Sequence, residues 1–126
     1  MAAIKYSRQR EAIKEYLANT KEHPTADTIY MNIRAIYPNI SLGTVYRNLN
    51  LLVERGEIIK INGIDGSDRY DGNIHDHYHF ICKKCQRVLD IDMDAVDSIN
   101  EQAGKNFPGK IEGHIAYFYG VCNECE

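Results

Sequence analysis

Three of the chain's five histidines, two carboxylates and a Cys-x-x-Cys pair fall within fifteen positions, Asp71-Gly-Asn-Ile-His75-Asp76-His77-Tyr-His79-Phe-Ile-Cys82-Lys-Lys-Cys85. From His77 to Cys82 a period-two alternation sets His77, His79 and Ile81 against Tyr78 and Phe80. A strand there projects two imidazoles from one face and then runs into a cysteine knuckle. Soft thiolates hold zinc, whereas imidazole with carboxylate favours exchangeable iron or manganese. The stretch therefore reads as the junction of a permanent metal site and an exchangeable one.

The other two cysteines repeat the spacing at Cys122 and Cys125, with 36 residues between Cys85 and Cys122. With no apolar segment of signal-peptide length at the N-terminus, a cytoplasmic location is expected, and Cys82, Cys85, Cys122 and Cys125 read as a tetrahedral structural Zn²⁺ site rather than disulfides. Two redox pairs are the rival reading, but they need a βαβ context that the pattern lacks. A four-cysteine site ties the end of the chain to its middle.

The elements that must carry these ligands divide the chain into residues 1–71 and 72–126. Residues 1–60 hold nine Lys/Arg against six Asp/Glu, and residues 61–126 hold six against twelve, so a basic front precedes an acidic, ligand-rich back. Ser7 caps a first helix reaching Asn19. Thr25 caps a second, with Ala26, Ile29, Tyr30, Ile33, Ile36 and Tyr37 on one stripe and Pro38 closing it. Ser41 caps a third, with Gly56 just past its end and Val45, Leu49, Leu52 and Val53 inward. Its other face presents Gly43, Arg47, Asn50 and Glu54, flanked by Tyr46.

Helices two and three, joined by Pro38-Asn-Ile-Ser41, have the form of a helix-turn-helix whose second helix enters the major groove. A plain helical core with a solvated face is the alternative. The strand-like 57–62, a turn at 63–67 and an extended Arg69-Tyr-Asp71 make that trio a winged helix, with Lys60 and Arg69 placed to meet phosphate. Beyond it lie strands at 77–82 and 87–91, a helix from Asp94 to about Ala103, and a long strand from Ile111 to Val121. The fold class is α+β, an N-terminal winged helix-turn-helix domain followed by a small α/β dimerisation domain. An open, aromatic-edged sheet is a natural homodimer surface, and dimers read palindromic double-stranded DNA. No apolar run approaches the ~20 residues of a membrane span.

Ser41-x-x-Thr44-Val45-Tyr46-Arg47-x-Leu49, His77-x-His79-x-x-Cys82-x-x-Cys85 and Tyr119-Gly120-x-Cys122-x-x-Cys125 together resemble the ferric uptake regulator family of bacterial metal-dependent repressors, from about Ser7 to the end of the chain. The resemblance implies a dimeric winged-helix repressor with a four-cysteine zinc and a regulatory metal between its domains, and it adds Thr44 to the DNA-facing set. Within the family the pattern is most similar to the peroxide-responsive repressors. Their ligand set falls here on His23, Asp71, His77, His79 and Asp90, holding Fe²⁺ or Mn²⁺, and the histidines that iron-catalysed oxidation modifies correspond to His23 and His77. Five such donors leave a sixth octahedral position for peroxide.

Asp90 discriminates within the family, since iron sensors commonly carry Glu there; a ferrous-iron-responsive repressor of iron uptake genes is the alternative function. His75, Asp76 and His114 are read either as surface polar residues or as a second, weaker metal site of the kind some members have. Typical members also have a longer N-terminal extension, so lower operator affinity or a greater share for the wing is expected. The chain is not expected to be an enzyme, because no further polar constellation supplies a pocket for a substrate beyond peroxide. A zinc-stabilised interaction module, binding no operator, is the third class considered.

Overall fold

The computed structural model describes residues 7–63, 66–75 and 77–126, arranged as two compact units, Met1–His75 and Asp76–Glu126. The first unit contains α1 (Arg8–Ala18), α2 (Ala26–Ile33), α3 (Leu42–Glu54), β1 (Ile59–Asn62) and β2 (Asp68–Asp71). Each helix starts where a hydroxyl can satisfy an orphan N–H: Ser7, Thr25 and Ser41 accept from the backbones of Arg10, Thr28 and Thr44. Gly56 ends α3 with a φ of 71°, the left-handed geometry that glycine adopts without steric cost. Ile13, Leu17, Ile29, Ile33, Val45, Leu49 and Leu52 then meet in one core, joined by Ile58 and Tyr70 from the hairpin side.

α2 stops at Ile33 rather than continuing to Tyr37. The chain tightens there, with Ala35 and Ile36 donating to the carbonyls of Asn32 and Ile33, because Pro38 lies ahead and disfavours helix in the residue before it. Ile36 is consequently exposed rather than on the buried stripe. β1 and β2 pair antiparallel from Ile59↔Asp71 to Asn62↔Asp68. Of the turn expected at 63–67, Ile64 and Asp65 lie outside the described residues.

The hairpin is tied to the helices at its root. Glu57 takes Lys14 of α1 at 2.6 Å and Arg55 at 2.9 Å. At its other end, Gly72 passes so close to the end of α1 that a Cβ there would lie 2.7 Å from the Leu17 carbonyl carbon and oxygen. This packing keeps residues 72–75 with the first unit, a little beyond Asp71, where the sequence reading divides the chain.

The second unit is a three-stranded sheet of order β4-β3-β5, formed by β3 (Tyr78–Cys82), β4 (Val88–Ile91) and β5 (Tyr117–Gly120), with the short helix α4 (Ser98–Gly104). β3 pairs antiparallel with β4 and parallel with β5. Two expectations change here. The helix begins at Ser98, not Asp94, and ahead of it the Val96 N–H donates to the Tyr78 hydroxyl at 2.7 Å. The last strand is confined to 117–120, because His114 is drawn out of an extended run by hydrogen bonds to Tyr78 and Asn100. Among the described residues no helix is long and apolar enough to cross a membrane.

The Lys14 hydrogen bond holds the Glu57 carboxyl below its usual range, against the opposing effect of burial. A carboxyl whose folded pKa is depressed adds stability that is present above its unfolded value and lost as pH falls through the folded one. Glu57→Gln is expected to cost about 1 kcal/mol or less at pH 7, the pair being part-exposed, and the gap from wild type should narrow in urea titrations as acid protonates the depressed Glu57 carboxyl. Gly72→Ala should cost about 1–3 kcal/mol through the forced contact with Leu17, whereas Gly113→Ala, with open space around it, should stay within about 0.5 kcal/mol.

Candidate metal centres

The knuckles form first from local geometry. Gln86 and Cys125 donate their N–H groups to the carbonyls of Cys82 and Cys122, each at 3.0 Å, and Gln86 adopts a φ of 66° to close its turn. The parallel β3·β5 register sets Cys82 beside Gly120, two residues before Cys122. All four sulfurs consequently lie within 4.8 Å of one another, with Cys85 and Cys122 at 3.8 Å. A zinc ion with four sulfurs at about 2.3 Å has a tetrahedron edge of about 3.8 Å, so spacing and donor type both fit zinc.

Electrostatics agree with that fit. The backbone N–H groups of Cys85 and Cys122 both donate to the Cys82 sulfur and pull its thiol down to about 6. The Cys125 thiol is pushed up to about 12, first by its hydrogen bond with the Cys122 thiol and then by burial. Four crowded sulfurs thus share protons when no cation is among them. A divalent cation replaces those protons and reverses the balance.

The imidazole and carboxylate residues fall into two groups, one in each unit. In the second unit His77 and His79 share a face, their ring centroids 4.4 Å apart. The β3–β4 register puts Asp90 directly opposite His79, and its Oδ1 lies 3.2 Å from His77 Nε2 and 3.5 Å from His79 Nε2. In the first unit His23 and Asp71 are both buried, with His23 Nδ1 3.7 Å from Asp71 Oδ2. Asp71 Oδ1 accepts from the Asn73 N–H at 2.9 Å, which leaves Oδ2 turned toward the imidazole. His23 sits at φ 50°, a left-handed conformation that costs a non-glycine residue about 1–3 kcal/mol.

His114 is held by hydrogen bonds to two other side chains. Its Nδ1 meets Asn100 Oδ1 at 2.8 Å and its Nε2 meets the Tyr78 hydroxyl at 2.6 Å, so both ring nitrogens are committed. With the amide oxygen accepting, Nδ1 carries the proton and Nε2 accepts from Tyr78. His75 is exposed, and Asp76 lies outside the described residues. Sequence reading missed Tyr78, whose place in the alternation marks only its face, and Asn73, whose signal was the Asp-Gly-Asn turn.

The helix face read as DNA-facing is exposed at Gly43, Tyr46, Arg47 and Asn50, with Thr44 half-buried. Arg47 donates to the Thr44 hydroxyl at 3.0 Å, which in turn meets Ser41 Oγ at 2.9 Å, so the guanidinium is oriented along the helix start. At the wing, Arg69 is the residue whose orientation differs from expectation. Lys60 pairs with Asp68 at 3.2 Å, and Arg69 turns inward, donating to the His23 carbonyl at 3.1 Å rather than projecting outward.

Zinc has much to hold together in the second unit. Among its described residues only Tyr78, Ile81, Val88 and the two cysteines Cys82 and Cys122 are buried apolar side chains, few for independent stability. Cys122→Ser is expected to abolish zinc retention, read by atomic emission, and to collapse the amide dispersion of residues 77–126. Signals of α1–α3 should persist in the same NMR spectrum, because their core contains no cysteine.

Comparison with known proteins bears on the whole chain. It is 37% identical over 125 residues to the peroxide-responsive repressor PerR of Staphylococcus epidermidis, covering 99% of this chain and 83% of that one. It is 38% identical over 122 residues to the peroxide operon regulator of Bacillus subtilis strain 168, covering 97% and 84%. The crystal structure of the Campylobacter jejuni peroxide stress regulator superposes with a TM-score of 0.81 at 32% identity, over 93% of this chain and 88% of that one. Residues 1–119 match the model of the ferric uptake regulator family, and the chain belongs to that family.

Proposed function

We propose that the chain is a metal-dependent transcriptional repressor that senses hydrogen peroxide through oxidation of its own ligand histidines. The observation that carries this reading is the placement of Asp90 opposite His79, within reach of both His77 and His79. Aspartate at this position, rather than the longer glutamate of iron sensors, makes a compact nitrogen/oxygen donor group, and the relatives named above are peroxide regulators. His23 and Asp71 complete the set of five, so the regulatory metal draws ligands from both units. Fe²⁺, when bound, supplies the reduction of peroxide that oxidises an adjoining imidazole, and Mn²⁺ does not supply it readily.

What the chain itself does follows from its donors. Asn73 holds one oxygen of Asp71 so that the other is presented, and the hairpin register holds Asp90 between two imidazoles. Binding a shared metal restricts the first unit relative to the second, which favours a DNA-competent arrangement by the difference in metal affinity between arrangements. Oxidation of His23 or His77 removes a donor and with it that bias. The event is stoichiometric, so the protein is a sensor and not an enzyme.

The first unit serves as a winged helix-turn-helix domain. α3 presents Gly43, Thr44, Tyr46, Arg47 and Asn50 to the major groove, where a tyrosine ring meets a thymine methyl and Arg47 a guanine edge or phosphate; Lys60 on the hairpin supplies charge. The second unit is a homodimerisation domain. β5 is an edge strand carrying exposed Phe118 and Tyr119, and Ile99, Phe107 and Ile115 are also exposed. A second copy covers these apolar groups and pairs two recognition helices for a palindromic operator in the cytoplasm.

The test uses duplexes selected from a random pool by the Mn²⁺-loaded protein. Dilute peroxide is expected to weaken binding of the Fe²⁺-loaded protein roughly tenfold or more, with added oxygen mapping by mass spectrometry to His23 or His77. The Mn²⁺ form should keep both its binding and its mass. Binding and mass unchanged in both forms would leave a ferrous-iron-responsive repressor, and no DNA selected with any metal would leave an interaction module.

A further inference from the structure

The hairpin does more than extend toward a ligand. β2 pairs with β1 on one side, and on the other it reaches the segment ahead of α2: the Tyr70 N–H donates to the Pro24 carbonyl at 3.0 Å, Thr25 and Arg69 form an antiparallel bridge, and Arg69 Nη1 donates to the His23 carbonyl at 3.1 Å. Arg69 and Asp71 are two apart on the strand and share a face. One strand thus supplies a carboxylate and, two positions earlier, a clamp on the backbone of the histidine which that carboxylate faces.

The clamp acts where it has most effect. His23 is in the left-handed region, which only a few per cent of non-glycine residues occupy. The orientation of its carbonyl fixes its ψ, and the backbone so fixed sets where the imidazole departs. A guanidinium repels a divalent cation, so any benefit of Arg69 to metal binding is geometric and not electrostatic.

We infer that Arg69 is a positioning residue for the regulatory metal: it holds His23 in its left-handed conformation so that His23 and Asp71 form a ready pair, and it is not a phosphate contact. The inference rests on the proposed reading of His23 and Asp71 as regulatory ligands. It assigns a metal-sensitivity role to a wing residue whose charge alone points to DNA.

The experiment titrates Mn²⁺ into the zinc-replete protein, following free Mn²⁺ by electron paramagnetic resonance, for wild type, Arg69→Ala, Arg69→Lys, His23→Ala and the Arg69→Ala/His23→Ala double variant. Arg69→Ala is expected to raise the Mn²⁺ Kd about tenfold or more, in the range for partners that orient a ligand. Arg69→Lys, which retains one donor, should recover part of the loss and keeps the test open if the alanine variant does not fold. Zinc content should not change. In the His23→Ala background the effect of Arg69→Ala should vanish, since a residue that acts through another has nothing left to position.

Binding of the selected duplex at saturating Mn²⁺ should return to the wild-type level. An unchanged Mn²⁺ Kd in both Arg69 variants overturns the inference, and so does an effect that persists undiminished without His23. Weakened duplex binding at saturating metal, with a shallower salt dependence, would mark a phosphate contact instead. If wild type itself takes up Mn²⁺ no more tightly than His23→Ala, the reading of the regulatory ligands fails and the inference fails with it, an outcome visible before any Arg69 variant is compared.

Discussion

Four sulfurs within 4.8 Å of one another cannot all ionise unless a cation sits among them, and the second unit depends on this constraint. Cys82 ends β3, and Cys122 follows β5 by two residues, so whatever binds the sulfurs also fixes the parallel pairing of those strands. The apolar core of this unit is too small to do so alone. β3 in turn carries His79 and is entered through His77, and its antiparallel partner carries Asp90. The oxygen- and nitrogen-donor group is therefore built on a frame whose rigidity comes from thiolate chemistry a few residues away. The N–H groups aimed at Cys82 keep at least one sulfur close to ionised before any metal arrives.

In the first unit the corresponding support is β2. Hydrogen bonds to β1 and to the segment 23–25 pin the strand from both sides, and Gly72 lets the chain leave it against the backbone of α1. The strain of a left-handed histidine, about 1–3 kcal/mol, is of the size that one charged and one neutral hydrogen bond offset. The core of α1–α3, packed through Leu17 to the same place, makes the geometry of His23 a consequence of the whole unit and not of its own sequence neighbours.

Local signals were legible and cross-chain ones were not. Ser7, Thr25, Ser41 and Gly56 act within a few residues of themselves, so the starts of the three helices and the end of α3 could be read directly. The shared face of His77 and His79 follows from strand alternation alone. Asp90 is different, because its place opposite His79 depends on a hairpin register set by the knuckle between the strands, and only resemblance pointed to it. α4 and β5 are shorter than their apolar patterns imply, and beside them the Tyr78 hydroxyl meets the Val96 N–H and the His114 ring, contacts spanning 18 and 36 positions that no local pattern announces. Arg69 was read by its charge, whereas its geometry is set by a carbonyl 46 positions earlier.

The distribution of donors also separates a metal that stays from one that leaves. All four thiolates belong to one unit, so holding zinc asks nothing of the other. The proposed regulatory donors are divided two and three, and neither share completes a coordination shell. The two proposed oxidation positions are then unequal. Loss of His77 leaves His79 and Asp90 as a chelating pair on a hairpin that zinc keeps rigid. Loss of His23 leaves Asp71 the remaining donor of its proposed pair, with Oδ1 already engaged by the Asn73 N–H. On the proposed reading, oxidation at His23 therefore takes more from the first unit's share of donors than oxidation at His77 takes from the second's, and the first unit is the one that carries α3.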